Sequence, residues 1–118
     1  MGLDLLLANT SADNVGQELD TYWVARGGRS PQDMIADLDG RVKVVHLRDF
    51  RLRWKRFALA PIDCALGDGN LDFRRIVDSC VAHDVRYMAI EQAADQAFEQ
   101  VAKSVAHLRD LGYNALFE

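Results

Sequence analysis

The chain has 118 residues, 49% of them hydrophobic and 27% charged, with a net charge of −4. This is enough apolar content to give one domain a core, and it excludes an intrinsically disordered chain. No apolar run approaches the roughly 20 residues of a membrane span, the opening MGLDLLLANT lacks the basic flank and long apolar region of a signal peptide, and the acidic balance argues against a general nucleic-acid binder.

In chain order, Leu3, Leu6 and Leu7 share a helical face, which predicts a short helix over residues 2–9. Residues 15–22 read as a strand. Ser30-Pro31-Gln32-Asp33 is a helix start, with a Ser cap, Pro at the first position and an early acid. Met34, Ile35 and Leu38 give that helix its core face, and Gly40 ends it. VKVVHLRDF, from Val42 to Phe50, is the second strand, and its nearly continuous apolar run suits a parallel sheet covered on both faces. A long loop is expected over residues 51–71. Asp72 caps the next helix, with Ile76, Val77, Cys80 and Val81 on one stripe. RYMAIEQ is the third strand. The last helix spans residues 95–111, with Phe98, Val101, Val105 and Leu108 inward and Gly112 at its end. The order α-β-α-β-α-β-α implies right-handed crossovers and a parallel sheet, as in α/β barrels and doubly wound sheets. Cys64 and Cys80 have no CxxC spacing, so a reduced, cytoplasmic setting is expected.

Within QELDTYWV, Asp20 sits among strand-like apolar residues, where an ionised carboxylate needs a cation or donors to offset its desolvation. The other two strands repeat the feature: each ends near a ligand-type side chain, His46 in VVHLRD and Glu91 in AIEQ. Three adjacent parallel strands would bring Asp20, His46 and Glu91 together at the sheet edge where α/β folds build their sites. One imidazole and two carboxylates suit Mn²⁺, Mg²⁺, Co²⁺, Zn²⁺ or Fe²⁺. Taken singly, each residue has a plainer reading: a carboxylate at a strand end caps a helix or pairs with Arg, and a strand histidine hydrogen-bonds in a core.

ELDTYWVARGGRSPQDMIADLDGRVKVVHLRDF, LGDGNLDFRRIV and RYMAIEQ resemble the C-terminal part of the sugar phosphate isomerase/epimerase family, in the xylose isomerase-like barrel superfamily. The resemblance implies a partial (β/α) barrel of about three parallel strands, the last three βα units of a TIM barrel, in one domain over residues 1–118. It implies a divalent metal (Mn, Mg, Co or Zn, if the site is complete) held by Asp20, His46 and Glu91. It also implies a sugar or sugar phosphate substrate, with Glu91 as an acid/base that moves a proton next to a carbonyl. A first ligand Glu, on the preceding strand of such barrels, has no counterpart in this sequence, nor do strands one to five. The isolated chain is therefore expected to be a poor catalyst and to form a homo-oligomer or pair with an N-terminal barrel fragment. The alternatives are a non-catalytic, self-associating fragment and an endonuclease IV-like phosphodiesterase, the latter disfavoured because that chemistry uses more histidines.

Arg48, two residues past His46 on the same strand face, could bind a substrate hydroxyl, carboxylate or phosphate, or pair with an acid. Asp49 could contact substrate or cap a turn, and Trp23 could wall a sugar ring or simply pack. Arg51, Arg53, Lys55 and Arg56 interleave with Trp54 and Phe57 in what reads as a solvated loop, with a phosphorylated-sugar contact as the second reading.

Overall fold

The computed structural model describes residues 2–93 and 95–118. In chain order its elements are α1 (Gly2–Ala8), β1 (Gln17–Asp20), α2 (Thr21–Arg26), α3 (Pro31–Asp37), β2 (Val42–Leu47), β3 (Asp49–Lys55), β4 (Ala58–Cys64), α4 (Phe73–Ala82), β5 (Tyr87–Ile90), α5 (Ala97–Asp110) and a 3₁₀ turn, Asn114–Phe117. The three expected parallel strands form one sheet in the order β1-β2-β5. Asp20 pairs with His46, which pairs with Ala89, and the ladder runs one bond further, from the Glu91 amide to the Leu47 carbonyl.

One face of this sheet meets the helices. Leu19, Val45 and Leu47 are buried against Met34 and Ile35 of α3, Phe73, Ile76, Val77 and Cys80 of α4, and Leu108 of α5. Alternation along the strands sends Glu18, Asp20, Val44, His46, Tyr87 and Ala89 to the opposite face. Among the described residues no helix covers that side, and Tyr87 is 62% exposed.

Five expectations differ from the structure. The second strand ends at Leu47, and Asp49 and Phe50 open β3 instead. The first strand stops at Asp20, and Thr21 starts α2, so Tyr22, Trp23 and Val24 are helical. Residues 51–71 are not one loop: β3 and β4 form an antiparallel hairpin, and only residues 65–72 connect it to α4. Its two-residue turn places Arg56 at φ 52°, a conformation in which Gly or Asn is usual, so no turn signal marks it in the sequence. Phe98 points outward, 94% exposed, because the inward face of α5 is centred on Ser104 and Leu108 and Phe98 lies about 120° round the helix from Ser104. Val81 likewise falls outside the buried stripe of α4.

The expected cap of α4 is present: the Asp72 carboxylate accepts a hydrogen bond from the Arg75 amide at 3.2 Å. Asp72→Ala should lower stability by about 1 kcal/mol, read as a shift in urea midpoint with an unchanged slope. Asp72→Asn, which can still cap, should recover most of the loss.

Candidate metal centre

At the C-terminal edge of the sheet, Asp20, His46 and Glu91 each offer a ligand atom within 4.8 Å of the others. The register produces this convergence. Asp20 and His46 are paired neighbours, and Glu91 lies two residues beyond Ala89, the His46 partner, so all three project to the uncovered face. Asp20 has a second task there. As N-cap of α2, its Oδ1 accepts a hydrogen bond from the Trp23 amide at 3.0 Å. The strand thus turns into a helix at the residue whose carboxylate faces the cluster.

Both ring nitrogens of His46 meet carboxylates: Nδ1 lies 2.9 Å from Glu91 Oε2, and Nε2 lies 3.4 Å from Glu18 Oε1. Arg48 donates to Glu91 Oε1 at 3.2 Å and grips Asp63 of β4 through Nε and Nη2, at 3.0 to 3.3 Å. Its guanidinium also lies over the Tyr22 ring, 4.7 Å from the centroid. Burial by itself would lower the Arg48 pKa, but the hydrogen bonds to Asp63 and the charges of Asp63 and Glu91 outweigh it, and the group is held above its ordinary value. The fully buried Thr21 hydroxyl donates to the Arg48 carbonyl at 2.7 Å and accepts from the Arg48 amide at 2.9 Å, fixing the backbone where the strands end.

The three residues read as possible substrate contacts have distinct surroundings. Arg48 is turned to its acidic neighbours, which is the ion-pair alternative. Asp49 is fully buried and turned to backbone amides: its oxygens accept from those of Phe50, Gly67, Gly69, Asn70 and Leu71 at 2.8 to 3.3 Å. It organises the LGDGN loop, and a Cβ at Gly69 would collide with its carboxylate. Burial pushes the Asp49 pKa above the ordinary 3.8, while the amides of Phe50, Gly67, Leu71 and Asn70 pull in the other direction. Trp23, exposed on α2, lines an open groove of about 470 Å³ along the β1 edge together with Asp20, Leu3, Leu19, Val24 and Met34.

Sequence reasoning missed Asp63, Glu18, Thr21 and Ser104. Asp63 and Thr21 gain their roles from partners 15 and 27 residues away. Ser104 escapes an apolar search, yet it is buried and accepts from the Leu66 amide at 2.9 Å while donating to the Gln100 carbonyl. Glu18 was legible, since it precedes Asp20 by two and therefore shares its face.

The donor set is of the kind divalent ions take: one imidazole and two carboxylates, with an atom of each within 4.8 Å of the others. Charge agrees: Arg48 offsets Asp63, which leaves Glu18, Asp20 and Glu91 around a single imidazole.

No protein-family model and no curated protein matches the chain. Two solved structures of sugar phosphate isomerase/epimerases from Parabacteroides distasonis do. One has a TM-score of 0.72 and 29% identity, over 91% of this chain and 34% of its own. The chain is similar to the C-terminal part of a sugar phosphate isomerase/epimerase. The second such isomerase/epimerase has a TM-score of 0.70 and 25% identity, over 91% and 35%. The chain thus spans about a third of the length of these isomerase/epimerases, and its parallel sheet with flanking helices is a partial (β/α) barrel. Among the described residues, no helix is long and apolar enough to cross a membrane.

Proposed function

We propose that the chain supplies the metal-binding end of an isomerase or epimerase that moves a proton at the carbon beside a carbonyl of a sugar or sugar phosphate. The observation that carries this reading is the convergence of Asp20, His46 and Glu91 from three successive parallel strands, in a chain similar to sugar phosphate isomerase/epimerases. These three residues would hold Mn²⁺, Mg²⁺, Co²⁺ or Zn²⁺. A bound divalent ion would polarise the carbonyl and its neighbouring hydroxyl. Glu91 would be one of its ligands and would serve as one acid/base. Trp23, beside Asp20 in the groove, walls the sugar. Nothing favours the phosphodiesterase reading.

Epimerisation needs a proton acceptor on one face of the substrate and a donor on the other. Glu91 supplies one face, and the second is assigned to a complementary barrel segment. Three features support such pairing. β1 and β5 each have a single neighbour in the sheet, and the inward face is uncovered. The Gln92 carboxamide, next to Glu91, has both polar atoms buried without a partner among the described residues, a cost of about 1 to 3 kcal/mol that a neighbouring strand could relieve.

The test combines sedimentation with an assay. The purified chain should associate at micromolar concentration and give no measurable keto-sugar epimerisation with Mn²⁺. A co-expressed N-terminal barrel segment carrying a ligand Glu should form a complex with it and restore turnover. Turnover by the chain alone, abolished in Glu91→Gln, would instead mean that self-association rebuilds the site. A well-folded monomer that ignores the complementary segment would refute the pairing.

A further inference from the structure

Resting on the reading of Glu91 as a metal ligand, the geometry around it points one step outward. Its two oxygens have different partners. Oε1 accepts from Arg48 Nη1 at 3.2 Å, and Oε2 is turned to the His46 ring at 2.9 Å. A carboxylate on a strand end turns about its last bond unless its oxygens are held, so the Arg48 contact helps fix the plane in which Glu91 faces the cluster. Arg48 is in turn held. Asp63 takes its Nε and Nη2 edge, Tyr22 lies under its plane, and its side chain is only 15% exposed. A guanidinium gripped on one edge by a carboxylate presents its remaining Nη1 in a fixed direction.

We infer that Asp63 is a positioning residue for Glu91, acting through Arg48. Asp63 lies on β4, at the root of the hairpin, and pairs with Phe50 in the hairpin register. The hairpin is thereby coupled to the metal ligand: its root sets the orientation of Glu91, and by reciprocity an ion bound through Glu91 steadies the hairpin.

The experiment uses the full chain. Asp63→Asn keeps the shape of the side chain and removes the charge that grips Arg48. Mn²⁺ affinity by calorimetry should fall about tenfold, and the visible absorption of bound Co²⁺ should shift as the Glu91 ligand reorients. Asp63→Glu should recover part of both. Unchanged Mn²⁺ affinity together with an unchanged Co²⁺ spectrum in Asp63→Asn would overturn the inference. A metal-free arm separates this result from failure of the metal reading itself. In EDTA, the urea-midpoint shifts of Asp63→Asn and Glu91→Gln should be non-additive although the two side chains bond to different edges of Arg48, and the coupling should vanish in an Arg48→Met background. Additive shifts would overturn the inference whether or not the chain binds Mn²⁺. Intact coupling in a chain that binds no Mn²⁺ would uphold the positioning and refute the metal reading.

Discussion

Replacing Asp49 with alanine is expected to lower stability by about 3 to 5 kcal/mol, a large share of the 5 to 15 kcal/mol typical of a domain. Five backbone amides converge on this one buried carboxylate. Removing it strands them together where the hairpin meets the loop before α4. The loop also depends on Ser104 and Gln100 of α5, which accept from the Leu66 and Ala65 amides, so the loss should spread to the docking of α5. Urea unfolding would measure the drop, and hydrogen exchange at Gly67, Gly69 and Asn70 should rise more than in the strands. A loss below about 1 kcal/mol would mean that water replaces the carboxylate at little cost. Asp49 also gives stability a defined pH dependence. Burial raises its folded pKa above the ordinary 3.8. The part of stability tied to that shift is therefore fully present below the unfolded value and is lost as pH rises through the folded one, while the amide bonds to the carboxylate persist. Asp49→Asn, which cannot ionise, should flatten that part of the stability curve while remaining less stable than the parent, because its NH₂ group faces amide donors.

The second large effect concerns metal. Mn²⁺ at about a hundred times its Kd should stabilise the chain by about 2.7 kcal/mol, since binding to the folded state alone shifts unfolding by mass action. EDTA should reverse it. His46→Ala and Glu91→Gln should each weaken Mn²⁺ binding by about a hundredfold or more, because even partners outside the ligand shell are worth about 10- to 100-fold. Asp20→Asn should show a mixed result, weaker binding with an intact α2, because asparagine still accepts the Trp23 amide as an N-cap. A thermal midpoint indifferent to Mn²⁺ and EDTA would sink the metal reading, as would wild-type binding in Glu91→Gln. Lys43→Ala, on an exposed strand residue away from the cluster, is a suitable control.

By itself the sequence determined the parallel sheet and the three polar strand ends. Val42–Leu47 is a nearly continuous apolar run, Ser30-Pro31 and Asp72 mark helix starts, and the strand-helix alternation admits few topologies. Asp20, His46 and Glu91 were legible because strand position is a local property: once three strands run parallel and in register, residues near their C-terminal ends must meet. The tertiary structure alone decided what depends on distant partners. Asp49 and Arg48 are adjacent, yet one turns into a loop some 20 residues on and the other reaches Asp63 and Glu91. The first strand of the hairpin was legible, since Phe50, Leu52 and Trp54 alternate with Arg51, Arg53 and Lys55 at strand period, and the loop reading overlooked it; the turn gave no signal because Arg56 takes the place of a glycine. Phe98 faces outward for a related reason: hydrophobicity marks a residue that can be buried, but the inward face of α5 carries Leu108 with Ser104 and Gln100, which bond to the loop after β4, and Phe98 lies off that face.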